Sequence, residues 1–193
     1  MPIQIGARSR DFSDPTGLMS DCHRRIEMFL GELKAAGDLD GQQLSDTARQ
    51  DLDTALRYFR EAAPKHNADE EESLFPRLRS VSDSEVRSAL EDVSRLEREH
   101  HWAAPLHAEV DRLGQQWLID DHLPEEQLRT FQTGVKALLS MYVAHIEFED
   151  RVLFPLAKRV LSRAQLGEIG REMARRRNLL TVVHEIEPLT LNK

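Results

Sequence analysis

Two eleven-residue stretches, 79 positions apart, constrain the fold of this chain more than any other feature. One runs His66-Asn67-Ala68-Asp69-Glu70-Glu71-Glu72-Ser73-Leu74-Phe75-Pro76. The other runs His145-Ile146-Glu147-Phe148-Glu149-Asp150-Arg151-Val152-Leu153-Phe154-Pro155. Each has a His, a Glu four residues later, and Leu-Phe-Pro starting four residues after the Glu. Residues four apart on an α-helix share a face and sit about 6 Å apart along the axis. Each copy therefore presents an imidazole beside a carboxylate, a pairing suited to a transition-metal ion.

Spacing alone is weak, because His-x-x-x-Glu also occurs at His23/Glu27 and His122/Glu126. Position on the apolar stripe carries the signal. Leu128, Phe131, Val135, Leu138, Tyr142, His145, Glu149, Leu153, Leu156 and Val160 step by three and four. Leu52, Leu56, Phe59, Ala63, His66, Glu70, Leu74 and Leu78 do the same. His and Glu thus occupy core positions of two amphipathic helices. An ionised Glu is rarely buried without a partner. Two buried carboxylates beside two imidazoles call for a shared cation.

Residues 1–16 form an arm without periodicity, ending in Asp14-Pro15-Thr16-Gly17. Met19, His23, Ile26, Leu30 and Leu33 then mark a first helix, broken at Gly37 to Gly41. The second helix starts near Ser45. Pro64 inside it removes a backbone hydrogen bond and predicts a kink or bulge just before His66. Ser82-x-x-Glu85 reads as a capping box for the third helix. Its stripe is Leu90, Val93, Leu96, His100, Ala104, His107, Val110, Gly114 and Trp117, with Pro105 expected to bend it. Pro124-Glu125-Glu126 suits the first turn of the fourth helix, which reaches about Leu161. Ser162-x-x-Gln165 caps a shorter fifth helix to about Arg177. The tail, 178–193, has no readable structure. Nothing alternates like a strand. The fold class is therefore all-α: an antiparallel up-down-up-down four-helix bundle over 17–177 with an additional short C-terminal helix.

The four stripes meet on one axis, to which the helices bring His23, then His66 and Glu70, then His100, then His145 and Glu149. His23 to His66 spans 43 residues and His100 to His145 spans 45, so the chain is a duplicated unit. Four imidazoles and two carboxylates exceed one tetrahedral zinc. They suit two ions bridged by carboxylates, iron best, with manganese or zinc as alternatives. Ferritin-like bundles instead place Glu before His, and that order occurs here once, at Glu97-x-x-His100.

The paired His-x-x-x-Glu-x-x-x-Leu-Phe-Pro resembles the bacterial type of hemerythrin-like (HHE cation-binding) protein. The resemblance covers residues 17 to about 177 and implies His23, His66, Glu70, His100, His145 and Glu149 as metal ligands, with Glu70 and Glu149 bridging two iron ions. It implies dioxygen, or another small diatomic or peroxide ligand, bound for sensing, storage or delivery. The invertebrate oxygen carriers of this family have His-x-x-x-His on the third helix, where this chain has Ala104. They end in His-x-x-x-x-Asp, and Asp150 does lie five after His145, so Asp150 stands beside Glu149 and His101 beside His100 as alternatives. With one imidazole fewer, redox turnover of peroxide, nitric oxide or ferrous iron is the competing reading. A metal-dependent regulatory module is a third.

Other residues have plainer readings. His107 and Tyr142 lie on stripes as core groups, or as groups that hydrogen-bond near the ligands. Glu27 sits on a solvated face, while His122 and His184 sit in a loop and the tail. Leu-Phe-Pro plugs the bundle end and limits the helix. Arg175-Arg176-Arg177 complements a helix dipole. A net charge of −8 argues against nucleic acid. The lack of a long apolar run argues against a membrane span. A single cysteine, Cys22, excludes an internal disulfide, and the first residues lack a secretory apolar core. These features together favour the cytoplasm. No protein partner is named by the sequence.

Overall fold

The computed structural model describes residues 11–179, and all their regular elements are helical. The order is α1 (Pro15–Gly37), α2 (Asp46–Glu61), α3 (Ala63–Ala68), a π-helical turn (Asp69–Leu74), α4 (Phe75–Arg79), α5 (Ser84–Asp120), α6 (Glu125–Phe148), a second π-helical turn (Glu149–Leu153), α7 (Phe154–Val160) and α8 (Arg163–Arg176). Neighbours around the ring are α1–α2, α2–α5, α5–α6 and α6–α1. The turns after α1 and after α5 meet at one end. Leu123 donates its N–H to the Gly41 carbonyl (2.8 Å), and Trp117 Nε1 donates to the Gln42 carbonyl (2.9 Å). Helices α1 and α5 therefore run one way and α2 and α6 the other, the up-down-up-down bundle. Gly41 is required at this junction: its φ is +77°, and a Cβ there would lie 2.4 Å from the Leu123 carbonyl oxygen.

The apolar core is split in two. One cluster, around Ile26, Leu30, Leu56, Leu113, Phe131 and Leu138, fills the turn end. The other, around Met19, Phe75, Val93, Leu96, Leu153 and Ile169, fills the opposite end under α8. Between them lies a polar layer in which His23, His66, Glu70, His100, His145 and Glu149 are all at most 5% exposed. The stripes that predicted this layer hold at nearly every position.

Pro64 acts as expected. The helix breaks at Ala62, and Pro64 stands in the first turn of α3. The two Leu-Phe-Pro segments depart from their expected role. The helix does not stop; it widens for one turn and then continues. Phe75 N–H bonds to Glu70 O, and Phe154 N–H to Glu149 O, both spaced five apart. Pro76 and Pro155 have no N–H and crowd the carbonyl four residues back, and the π turn relieves that crowding. Phe75 and Phe154 do fill the end cluster.

Three smaller expectations are corrected. Asp83, not Ser82, caps α5, because its carboxylate accepts from both Glu85 and Val86 N–H groups. Ala104 is exposed and Ala103 carries the buried position, a three-residue step after His100. Leu90 and Val160 are only half-buried. The α8 capping box of Ser162 and Gln165 is present as read. Helix α5 continues through Pro105, which is exposed. His184 and most of the tail lie outside the described residues.

Candidate metal centre

The six residues singled out by the stripes converge. Two overlapping sets form: His23, His66, Glu70 and Glu149; and Glu70, His100, His145 and Glu149. Within each set the donor atoms lie within 4.8 Å of one another. The first set takes its imidazoles from the first half of the chain, the second from the second half, and both share the same two carboxylates. His23 Nε2 is 3.1 Å from Glu149, His66 Nε2 is 3.2 Å from Glu70, and His145 Nε2 is 3.3 Å from Glu149. His100 Nε2 is 3.5 Å from Glu70.

Three of the four imidazoles are held from behind. Asp150 meets His23 Nδ1 at 2.9 Å, Glu71 meets His100 Nδ1 at 2.7 Å, and Glu99 meets His145 Nδ1 at 2.9 Å. A carboxylate there accepts the Nδ1 proton and turns the bare Nε2 inward, the tautomer a metal needs. His100 Nε2 and His145 Nε2 then face each other at 3.1 Å. Two lone pairs at that distance repel unless a proton or a cation lies between them.

The residues fit a metal pair on a further count. Among the described residues, His23 Nε2, His66 Nδ1 and all four oxygens of Glu70 and Glu149 are buried without a hydrogen-bond partner. Buried polar atoms are rarely left so, and a carboxylate with both oxygens unsatisfied is the costliest case. Protons carry part of the charge balance when no cation does. Burial opposes charge on His23, yet Asp150, Glu149 and Glu70 raise its pKa to about 11. Burial likewise opposes charge on His145, and Glu149 and Glu99 raise it to about 9. Burial and the charge of Glu149 push Glu70 up to about 7. Burial works against ionised Glu149 too, but His145 and His23 hold it well below the usual range. His66 moves the opposite way from His23 and His145: burial and the charge of His23 push it well down.

Several alternatives left open by the sequence are separated by geometry. Asp150 lies behind His23, with Arg24 and Ser20 on its oxygens, while Glu149 enters both sets. His100 is buried and His101 exposed. Glu27 pairs with Arg24 on the surface, and His122 is exposed against the Gly41 carbonyl. His107 stands outside both sets and meets the Tyr142 hydroxyl at 3.1 Å. Phe154 stacks on His23 with centroids 5.3 Å apart.

Sequence reasoning missed Glu71 and Glu99, and took Asp150 as an alternative ligand and not as a support for His23. Glu71 and Asp150 follow the two Glu residues directly, and each reaches the first imidazole of the other half. The signal was an acidic residue in the same register of both copies. It also missed the fully buried Asp69, which receives Arg176 (3.0 Å) and Arg177 (2.6 Å) from α8. The basic cluster ending that helix does more than complement a dipole.

Comparison with known proteins gives two matches. A family model described as the hemerythrin HHE cation binding domain matches residues 14–157. A protein of Haemophilus influenzae, described only as uncharacterized, is 27% identical over 169 residues, 87% of this chain and 92% of that protein.

Proposed function

The chain belongs to the hemerythrin HHE cation-binding family, and from that premise we propose that it is a non-haem di-iron protein binding dioxygen or a related small ligand for sensing, storage or delivery. His23, His66, Glu70, His100, His145 and Glu149 are the proposed ligands, with Glu70 and Glu149 shared between the two ions. The observation that carries this reading is the pair of overlapping sets with common carboxylates. Each set offers two imidazole and two carboxylate donors, so a six-coordinate ion would keep positions for a ligand. Bound iron would supply the electrons that hold dioxygen. The chain does the rest. Asp150, Glu71 and Glu99 fix three imidazoles, and the two apolar clusters close the layer between them from both ends of the bundle. No described helix is long and apolar enough to cross a membrane. We take the compartment to be the cytoplasm.

The test is iron content per chain, then anaerobic reduction and admission of air. A visible charge-transfer band that appears with oxygen and fades on its removal is the expected result. Iron-loaded protein with no oxygen-dependent spectrum would remove the reading, and one zinc per chain would replace it.

The competing reading is a redox enzyme acting on peroxide, nitric oxide or ferrous iron. It is favoured by Ala104, which lies outside the centre where the oxygen carriers of the family place an imidazole. Turnover of one of these substrates by the iron-loaded chain, lost in Glu70→Ala, would decide for it.

A further inference from the structure

A cleft of about 360 Å³ opens between α2–α3 and α5 and ends on His100, His107 and Tyr142. Its volume is roughly ten times that of a liquid water molecule. Phe59, Ala63, Ala103 and Ala104 give it apolar walls. At its edge Arg60 and Asp111 neutralise each other at 2.7 Å. Apart from this pair no Lys, Arg, Asp or Glu side chain lines it. Burial keeps His107 neutral down to about pH 4. The Tyr142 hydroxyl is buried beside it.

A second depression also reaches His100 and shares Pro64 and Asn67 with the cleft. It is lined by Glu71, Glu72 and Glu97, and Glu71 already occupies the outer nitrogen of His100 at 2.7 Å. Of the two, the cleft reaches the polar layer over apolar walls.

Its inner end is built for one hydrogen bond. Tyr142 and His107 are 3.1 Å apart, and Phe59 stacks on the His107 ring at 4.7 Å, fixing its plane. His107 Nδ1 is buried and has no partner among the described residues. If Nε2 carries the proton it donates to the phenol oxygen, and the hydroxyl proton of Tyr142 is spare. If Nδ1 carries it, the hydroxyl donates to Nε2 and Nδ1–H is spare. In the first tautomer the pair offers the hydroxyl proton to an incoming acceptor; in the second the spare donor is the buried Nδ1–H. The Tyr142 ring also lies 5.8 Å from that of His145, so the pair bridges cleft and centre.

We propose that this cleft is the entry route for a small uncharged ligand with an acceptor atom, and that the Tyr142–His107 pair is the hydrogen-bonding gate at its inner end. The proposal rests on the small-ligand reading in taking the centre as destination. Tyr142 and His107 are positioning residues here: they hold the ligand's acceptor atom while the metal ligands stay as they are.

The test uses iron-loaded, reduced full-length protein, with dioxygen as probe and stopped-flow absorbance as readout. Ala104→Trp fills the cleft from an exposed helix position, so it leaves the core alone. A blocked route slows association and dissociation by the same factor, here on the order of 10-fold or more, leaving the equilibrium constant within about twofold. Tyr142→Phe keeps the volume and removes the hydroxyl. It should leave association within about twofold and speed dissociation about fivefold, the loss of one hydrogen bond. Unchanged rates in Ala104→Trp would overturn the route, and an unchanged dissociation rate in Tyr142→Phe would overturn the gate. A metal-independent arm is xenon-pressurised crystals: density against Phe59 and Ala103 is expected, and its absence would overturn the route. If dioxygen gives no spectrum at all, the function reading fails, while the xenon arm still decides the cleft.

Discussion

The two halves of the bundle, 15–79 and 84–160, carry the same His, His and Glu pattern on different scaffolding. His23 matches His100, His66 matches His145, and Glu70 matches Glu149. Glu71 and Asp150 match too, and each crosses to the other half to hold an imidazole. What surrounds this shared pattern has diverged. Before His100 stands Glu99, which holds His145; before His23 stands Cys22, and His66 Nδ1 has no partner among the described residues. Tyr142 in the second half corresponds to Ala63 in the first, and His107 to Leu30. Asp69, clamped by α8, corresponds to Phe148, which lies under Arg95 instead. The parts that must be alike to share two carboxylates stayed alike. The parts one position away became unequal, and the cleft opened on the side where a tyrosine's counterpart is an alanine.

The comparison predicts one symmetric effect and one asymmetric effect on metal binding. The symmetric one is the largest. Because Glu70 and Glu149 belong to both sets, Glu70→Ala or Glu149→Ala should strip metal from both halves together, by more than the ~10–100-fold that follows loss of an outer partner. Metal content per chain after dialysis checks this. Retention of one full equivalent would show that the two sets do not share their carboxylates. The asymmetric effect concerns Glu99. In the parent protein, chelator should remove the ion on the His66 side first, because that imidazole is not held from behind. Glu99→Gln should weaken the other ion by roughly 10–100-fold, so that removal approaches a single phase.

A third expectation concerns pH. In the metal-free protein His23 and His145 are held protonated up to about 11 and about 9, and Glu70 is raised to about 7. All three folded values lie above the ordinary ones. The stability they contribute is fully present at low pH and is lost as pH rises through them. Metal replaces those protons, so the loaded protein escapes the loss. The gap in melting temperature between loaded and chelated protein should therefore widen from pH 7 to pH 9. A gap that narrows over this range would mean that protons and metal do not compete for these groups.

How much of this could be read from the chain follows from periodicity. A three-four stripe reports which residues face inward, so these six buried polar groups and the bundle were readable from their place on the stripes. The π turns were not, since a proline in a helical pattern reads as an end until the widened turn is seen. The supporting role of the outer carboxylates was not either, although Asp150 itself stood out as a candidate ligand. Glu71, Glu99 and Asp150 sit one position off their stripes, where an acidic residue usually means a solvated face, and only the neighbouring helix turns them inward. Asp69 was hidden for the same reason, its partners lying more than a hundred residues away on α8. A stripe describes one helix, and these contacts belong to two.

The finest test of the halves is a pair of glycines. Gly37 ends α1 and Gly114 lies at the matching place in α5, both facing the turn-end cluster. A Cβ at Gly37 would meet Phe131 and Gln132 at 3.5 Å, ordinary contact. A Cβ at Gly114 would lie 2.6 Å from Leu56 Cδ1 and 2.9 Å from Cδ2, and Leu56 is buried. Alanine gains up to about 0.5–1 kcal/mol over glycine within a helix, less at its last residue. Overpacking costs about 1–3 kcal/mol. Gly37→Ala should thus be neutral or slightly stabilising, while Gly114→Ala should lose about 1 kcal/mol net. Denaturant midpoints on the two variants compare them directly. Equal midpoints would mean that α2 can shift away from α5, and that the tighter packing of the second half is not a constraint on how the centre is held.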